Sequence, residues 1–330
     1  IATMIAAVSP FMAVAKNYDS QYTAQTGYVT LEKSDNSTTW SFASAGNWSD
    51  TKEPHSGTNY YVGVEKTLGV YPKAGSLNEY KFPGNLLVVA GEVKHSSAAG
   101  NSVKWGETRL LPGSKYILAS KASINEGDFI VEGTVDDPFT IGVNSTHGAH
   151  TLAMNVSSLP SGYMKLNKII DNDTLQKALL TGDWSRYYGT LECAAHPFFQ
   201  TLLKQNFDMP GKIVVPENGT LALQYDSNKP VIASIDVKCG GKILFVLDAN
   251  DSYLHVTNQL SLESGAVVDS NNKFTRVVYG GNEPTHTTMV FRLSSKVAEG
   301  LKDFDWNSID FIHRKERQIG ELPYVVPFVV

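Results

Sequence analysis

The sequence predicts an all-β solenoid, in which short strands joined by tight corners wind around one core. The pattern is clearest in Gly211–Asn272, where apolar and polar residues alternate in short runs. Such alternation places every second side chain on one face of a strand. The runs are separated by corner residues that tolerate positive φ, which are Asn218-Gly219, Gly240-Gly241, Asp248 to Asp251 and Ser264-Gly265. A coil this short cannot bury its apolar face alone, so we expect the coils to stack.

Composition excludes one class of partner. The chain of 330 residues is 42% hydrophobic and only 18% charged, and its formal net charge is −5. A nucleic-acid surface needs a cluster of Lys and Arg on one face, and the sequence contains no such cluster. We therefore expect no nucleic-acid partner.

The first residues suggest export. Ile1–Val14 is almost wholly apolar, and Ala13-Val14-Ala15 precedes a polar stretch, which resembles a secretory signal peptide and its cleavage site. We expect residues 1–15 to be the remnant of such a signal. The alternative is a buried N-terminal strand or helix. The last residues, 324–330, resemble a strand that is cut off, and we expect no membrane span in this chain.

The remaining chain continues the rhythm of short strands. We expect residues 16–165 to form an N-terminal capping segment and the first coils, and residues 166–330 to continue the solenoid. The best candidate for a boundary is Leu166–Trp184, although one continuous solenoid fits equally well. Two short helical insertions are predicted at Asp171–Leu180 and Ser295–Leu301, whereas Pro197–Phe207 favours a strand followed by a loop.

Four segments carry a resemblance to a known family. They are the pattern W-x-F…G-N-W-S-D…P-x-x-G-x-x-Y-x-V between Trp40 and Val62, Phe82–Val93, Tyr187–Leu191 and Asn218–Leu221. Together they resemble secreted bacterial β-helix proteins with autotransporter-type β-strand repeats. This resemblance implies a right-handed parallel β-helix that is displayed at, or released from, the cell surface. The family has no common catalytic residues, so none is assigned to this chain.

Two groups of residues could carry chemistry. His147 and His150 form an H-x-x-H, but on a strand their rings face opposite sides, so we interpret them as part of a polar loop. The acidic groups are Asp136-Asp137 and a later set, Asp303, Asp305 and Asp310. In a solenoid, carboxylates from distant coils can meet, as glycan cleavage requires. Their convergence in one groove would favour an enzyme, and their separation would favour a scaffold.

Cysteine and tryptophan residues leave further alternatives open. Cys193 and Cys239 could form a disulfide in an exported protein, or both could be buried free thiols in strands. We expect Trp40 and Trp48 to cap the apolar end of the first coil. Exposed aromatic side chains could instead bind sugars. The alternative fold is therefore a carbohydrate-binding β-sandwich.

These observations predict an extracellular or cell-surface structural module, adhesin-like and without catalysis. No catalytic, cofactor-binding or metal-binding residue is assigned, and the expected partner is a surface glycan or a protein. The alternatives are a polysaccharide lyase or glycoside hydrolase on a β-helix, and a carbohydrate-binding module.

Overall fold

The chain folds into a parallel β-solenoid with two sheets that face each other across one apolar core. The computed structural model describes residues 18–34, 43–70, 79–97, 102–204, 207–225, 230–247, 254–270, 291–305 and 308–311. Three short 3-10 helices occur near the start, at Tyr18–Ser20, Ala24–Thr26 and Ala45–Asn47. One α-helix, α1 (Ser295–Gly300), follows most of the strands.

The larger sheet contains fifteen of the described strands. They are β1 (Tyr28–Thr30), β2 (Asn59–Val62), β4 (Glu79–Lys81), β5 (Leu86–Val89), β7 (Ser102–Leu110), β9 (Ser123–Val131), β11 (Ala149–Ala153), β12 (Asn155–Ser158), β14 (Gln176–Thr181), β15 (Arg186–Tyr187), β17 (Phe199–Lys204), β19 (Thr220–Tyr225), β21 (Lys242–Leu247), β23 (Val267–Ser270) and β25 (Asp310–Phe311).

The smaller sheet contains ten of the described strands. They are β3 (Thr67–Val70), β6 (Glu92–Ser97), β8 (Lys115–Ser120), β10 (Phe139–Asn144), β13 (Tyr163–Lys168), β16 (Thr190–Glu192), β18 (Asp208–Val215), β20 (Val231–Val237), β22 (Leu254–Leu262) and β24 (Phe291–Leu293).

Along the main path of each sheet, the strands follow one another in chain order, as expected for a chain that winds into stacked coils. The smaller sheet has the order β3-β6-β8-β10-β13-β16-β18-β20-β22-β24, and its neighbouring strands are parallel. In its middle, Tyr116 pairs with Ile141, which pairs with Leu166, so one coil here takes about 25 residues. The strand pairs of the larger sheet are parallel too. This topology confirms the predicted all-β solenoid. It excludes the β-sandwich alternative, which needs antiparallel sheets.

The core is built from columns of like residues, one from each coil. Leu191, Ile213, Ile235 and Leu260 stand in register in the smaller sheet, and each is at most 4% exposed. Their alternation with polar neighbours is the pattern that predicted strands in this region. Each coil thus buries its apolar face against the next, so removal of one inward side chain affects both neighbours.

The predicted corners stack in the same way. Asn218, Gly240 and Gly265 have φ values of 61°, 72° and 82°, and they lie at equivalent positions of three coils. The amide of Asn218 donates to the carbonyl of Gly240 at 3.3 Å, and the amide of Gly240 donates to Gly265 at 3.0 Å. The corners are therefore part of the ladder between coils. The fourth predicted corner, 248–251, lies outside the described residues.

Aromatic side chains close the core near β1. Trp48 is 1% exposed and its ring packs edge-on against Tyr60, with centroids 4.9 Å apart. Tyr60 in turn contacts Phe82 at 5.5 Å, and Phe82 contacts Trp105 at 5.5 Å. Trp48 is buried against the first coil, as expected for a cap, whereas Trp40 lies outside the described residues.

One helix prediction is wrong and one is confirmed. Asp171–Leu180 was expected to be helical, but Gln176–Thr181 is strand β14, in which Gln176, Ala178 and Leu180 face the core. Burial at every second residue outweighs local helix propensity here. The strand expected within Pro197–Phe207 is β17. The helix expected at Ser295–Leu301 is α1, whose N-cap Ser294 accepts from the amide of Val297 at 3.4 Å.

The expectations for the two ends of the chain are not covered by the structure. Residues 1–15, which were interpreted as a signal remnant, and residues 324–330 lie outside the described residues. Across the proposed boundary at Leu166–Trp184, strands β13 to β16 continue the two sheets.

Candidate functional site

The acidic residues singled out in the sequence do not converge. Asp136 is exposed in the corner after β9, where the carbonyl of Asp137 accepts from the amide of Gly113 at 3.1 Å. Asp303 and Asp305 follow α1 and are exposed, and Asp310 lies in the last described strand. Several coils separate the first pair from the later group. These carboxylates therefore form no common groove.

The two histidines differ from the predicted polar loop. His150 belongs to β11 and is fully buried, with its Nδ1 2.7 Å from the carbonyl oxygen of Ala122. His147 is exposed, and its ring centroid lies 5.8 Å from that of His150. The prediction is wrong for His150, because strand β11 already begins at Ala149 and the ring of His150 points into the core. Within the described residues, no group of three or more His, Cys, Asp and Glu could hold a metal ion.

The two cysteines are both free thiols. Cys193 is fully buried, and burial raises the pKa of its thiol to about 12. Cys239 is exposed at a corner, so the interpretation as two buried thiols holds for Cys193 alone. The alternative, a disulfide between them, is not present.

A different set of charged residues does converge. It lies on the outer face of the smaller sheet and is called the charged ladder here. Its members are Tyr163, Lys165, Glu192, Lys212, Asp236, Lys238 and Glu263. Register explains the arrangement, because Lys165 pairs with Glu192 and, two strands further on, Asp236 occupies the same column. Outward positions of successive coils therefore become neighbours.

The contacts in the ladder run from coil to coil. Lys165 Nζ lies 2.7 Å from Glu192 Oε1, and the hydroxyl of Tyr163 donates to the other oxygen of Glu192. Lys212 Nζ lies 2.9 Å from Asp236 Oδ2. These pairs join residues more than twenty positions apart in sequence.

Lys238 continues the ladder by bridging two carboxylates. Its Nζ lies 3.3 Å from Asp236 and 2.9 Å from Glu263. The side chain of Asp236 is only 14% exposed, and its Oδ1 is buried without a hydrogen-bond partner. Asp236 is thus the most enclosed charge of the ladder and the one most dependent on its lysines.

Electrostatics hold these groups in fixed protonation states. Burial acts to raise the pKa of Asp236, but hydrogen bonds from Lys212 and Lys238 outweigh it and the pKa lies below its usual value. The hydrogen bond from Lys238 likewise lowers the pKa of Glu263, and the pKa of Lys238 is raised in return. Burial and the bond to Glu192 raise the pKa of Tyr163.

This arrangement is poorly matched to acid–base catalysis. A glycosidase needs a carboxylic acid whose pKa is raised towards neutrality and a second carboxylate at a defined distance. In the ladder, the lowered pKa values keep Asp236 and Glu263 ionised, and the raised pKa values keep Lys238 and Tyr163 protonated. Opposite charges therefore stabilise the stack, and none of these four groups is poised to transfer a proton near neutral pH.

Sequence reasoning missed the ladder for a geometric reason. Five of its members lie in strands that alternate polar and apolar residues, Lys238 and Glu263 directly follow such strands, and none of them forms a local motif. A signal was present in the recurrence of Lys, Glu and Asp at outward positions one coil apart. Using it requires the register between coils, which the alternation alone does not give.

Comparison with known proteins adds no functional assignment. Neither protein-family models, nor curated protein sequences, nor solved structures gave a match. The helices in the described part of the chain include none with the length and apolar character to cross a membrane.

Proposed function

We propose that this chain is part of an exported surface module that acts as an extended scaffold with an adhesive face, and that it does not catalyse a reaction. The observation that carries the proposal is the charged ladder, because its acids and bases neutralise one another across successive coils. Acid–base catalysis needs a group whose pKa lies near neutrality, whereas the pKa values of Asp236 and Glu263 are lowered and that of Tyr163 is raised.

The solenoid supports the proposal by its shape. Its coils are stacked at about 4.8 Å per strand, so the fold extends along one axis and repeats its lateral faces. Such a surface can contact a partner at several coils at once. Weak contacts of this kind add up through multivalency, as attachment to a glycan-coated surface requires. Export and surface display are expected from the N-terminal sequence and from the family resemblance.

The test separates binding from turnover. The purified protein is incubated with acidic and neutral polysaccharides, and two quantities are measured: polysaccharide retained on immobilised protein, and new reducing ends or unsaturated uronates released with time. We expect retention of at least one polysaccharide without release of product. The matched variant Glu192→Gln removes a carboxylate of the charged ladder, and we expect that it releases no product either.

The opposite outcome would identify an enzyme. Product that appears with the wild-type protein and disappears with Glu192→Gln or Asp236→Asn would overturn the scaffold proposal in favour of a glycan-cleaving β-helix. Far-ultraviolet circular dichroism of both variants shows whether a lost activity reflects chemistry or a lost fold.

A further inference from the structure

A cleft of about 380 Å³ lies between β22 and α1. Beside it, β22 carries one extra residue relative to β20: Ile232 pairs with Val256, but Ser234 pairs with Gln259. A bulge of this kind bends the strand and changes the direction of its side chains. As a result, Asn258 and Gln259 are both exposed on this face.

The helix forms the other wall of the cleft. The hydroxyl of Ser294, at the N-cap of α1, donates to the carbonyl of Thr257 at 2.8 Å and anchors the helix beside the bulge. Lys296 then reaches across, and its Nζ donates to Asn258 Oδ1 at 2.7 Å. The two walls are therefore connected by hydrogen bonds, which gives the cleft a fixed width.

The lining has an apolar floor and a polar rim. Leu260, Val297 and Leu301 form the floor and are 4%, 4% and 8% exposed. The rim consists of the Asn258 and Gln259 amides and the Lys296 ammonium group. Among the described residues that line the cleft, Lys296 alone carries a formal charge. An apolar surface with few polar groups on one side is the usual make-up of a small-molecule site.

We propose that this cleft binds one anionic sugar unit of a surface glycan, with the sugar carboxylate or sulfate at Lys296 and the ring against the apolar floor. This inference rests on the adhesive function proposed above and names its ligand class. The ammonium group of lysine has three donors, and Asn258 takes one of them. Asn258 is held on both sides, because its Nδ2 also donates to Ser234 Oγ at 2.9 Å. The exposed amide of Gln259 can bond to sugar hydroxyls.

Neighbouring charges are consistent with an anion at this position. Glu299, on the same helix, is paired with Lys302 at 2.8 Å. On the strand side, Gln259 is in register with Ser234 and then with Lys212 of the charged ladder. The cleft thus lies at one end of the face that carries the ladder, where a long glycan could contact both.

The test uses the whole chain and four small probes at constant ionic strength. Calorimetry measures the binding of glucuronate, glucose 6-sulfate, glucose and a short Asp-rich peptide. We expect at least one anionic sugar to bind at least tenfold more tightly than glucose and the peptide. Comparing glucuronate with the sulfate ester shows which anion is preferred.

Three variants locate the site. Lys296→Met should weaken binding of the anionic sugar at least tenfold, and Gly300→Phe, which fills the cleft, should abolish it. Lys121→Met is the control, because Lys121 is exposed in the corner after β8, several coils away from the cleft, and this variant should bind like the wild type. Thermal unfolding of each variant reports whether it is folded.

Several results would overturn the inference. They are the absence of binding by either anionic sugar, equal binding of glucose, tighter binding of the acidic peptide, or unchanged affinity in Lys296→Met. Any of these leaves the scaffold proposal standing, as long as the immobilised protein still retains a polysaccharide and releases no product. Conversely, turnover that persists in Lys296→Met would defeat the scaffold proposal without bearing on the cleft.

Discussion

Gly189 lies directly against the carbonyl oxygen of Gly162, which belongs to the corner of the preceding coil. The same carbonyl accepts the amide of Thr190 at 2.8 Å, and the next coil repeats the arrangement with Gly211 against Gly189. A β-carbon at position 189 would overlap the oxygen of Gly162. The corner can therefore keep its spacing only if glycine occupies this column.

Replacement of Gly189 by alanine should destabilise the solenoid by about 2–4 kcal/mol, because the nearest atom, the carbonyl oxygen of Gly162, belongs to the backbone and cannot move aside. The matched control is Gly148→Ala, where the nearest atom is the carbonyl oxygen of Leu175 at 3.8 Å. The free energies of unfolding, measured by urea denaturation, should differ clearly between the two. Equal values would show that the corner relaxes.

Two leucines test the position of the core. Leu223 is fully buried and Leu159 is 73% exposed. We expect Leu223→Ala to lower the free energy of unfolding by about 2–5 kcal/mol, and Leu159→Ala to change it by less than about 0.5 kcal/mol. The same urea experiment measures both. A large effect of Leu159→Ala would mean that its corner is covered in solution.

The charged ladder predicts that an ion pair stabilises the fold more when its carboxylate is less exposed. Lys212 with Asp236 and Lys104 with Glu126 have the same 2.9 Å separation, but the acidic side chains are 14% and 61% exposed. Asp236→Asn should cost about 1–2 kcal/mol, because Lys212 loses its partner and Lys238 keeps only Glu263, in a partly desolvated site. Glu126→Gln should cost less than about 0.5 kcal/mol. Similar costs for both would argue against the ladder as a stabilising feature.

The pH dependence of the same variant has a defined sign. The pKa of Asp236 is depressed in the folded state, so its stabilising contribution is present above the ordinary carboxyl pKa of 3.8 and is lost as the pH falls below it. The difference in unfolding free energy between wild type and Asp236→Asn should therefore shrink in acid. A difference that grows instead would contradict the assigned charge state.

His95 should also make the stability depend on pH, in a range that begins above the one for Asp236. Burial lowers its pKa from 6.5 to about 3, and the neighbouring His150 adds to the shift; Nδ1 lies 3.3 Å from the hydroxyl of Tyr116. The unfolded chain therefore binds the proton more readily. Stability should fall as the pH drops from about 6.5 towards 3, by up to about 1.4 kcal/mol per pH unit.

A variant isolates this contribution from that of the carboxylates. His95→Gln should flatten the slope of unfolding free energy against pH between about 6 and 4, relative to the wild type. Urea titrations at a series of pH values measure the slope. An unchanged slope in His95→Gln would show that His95 is not buried in its neutral form.

The free thiols predict a labelling stoichiometry. Cys239 is exposed, whereas burial raises the pKa of Cys193 to about 12 and excludes reagent. Ellman's reagent should modify one thiol per chain in the native protein and two in denaturant, and Cys239→Ser should remove the native reaction. No reaction in denaturant without reductant would reveal a disulfide instead.

Local patterns in the sequence determined the fold class and several details. Alternation at Ile213, Ile235 and Leu260 predicted strands, and Gly240 and Gly265 predicted corners, because period two and positive φ are properties of short segments. Trp48 was interpreted as a cap because the first coil of a solenoid must cover its apolar end. The helix predicted at Asp171–Leu180 failed because burial of Gln176, Ala178 and Leu180 in a stacked coil outweighed local propensity.

Tertiary structure alone decided which residues meet. Asp236 contacts Lys212, and Tyr163 contacts Glu192, only when neighbouring coils stack in the correct register. A shift of one residue would exchange the inward and outward faces of a strand. The same holds for the cleft, whose walls come from β22 and from α1, two elements that are separated in sequence. The sequence by itself determined that this chain stacks short strands around an apolar core, because that depends on periodicity. The charged ladder and the cleft depend on contacts between coils, which no single segment encodes.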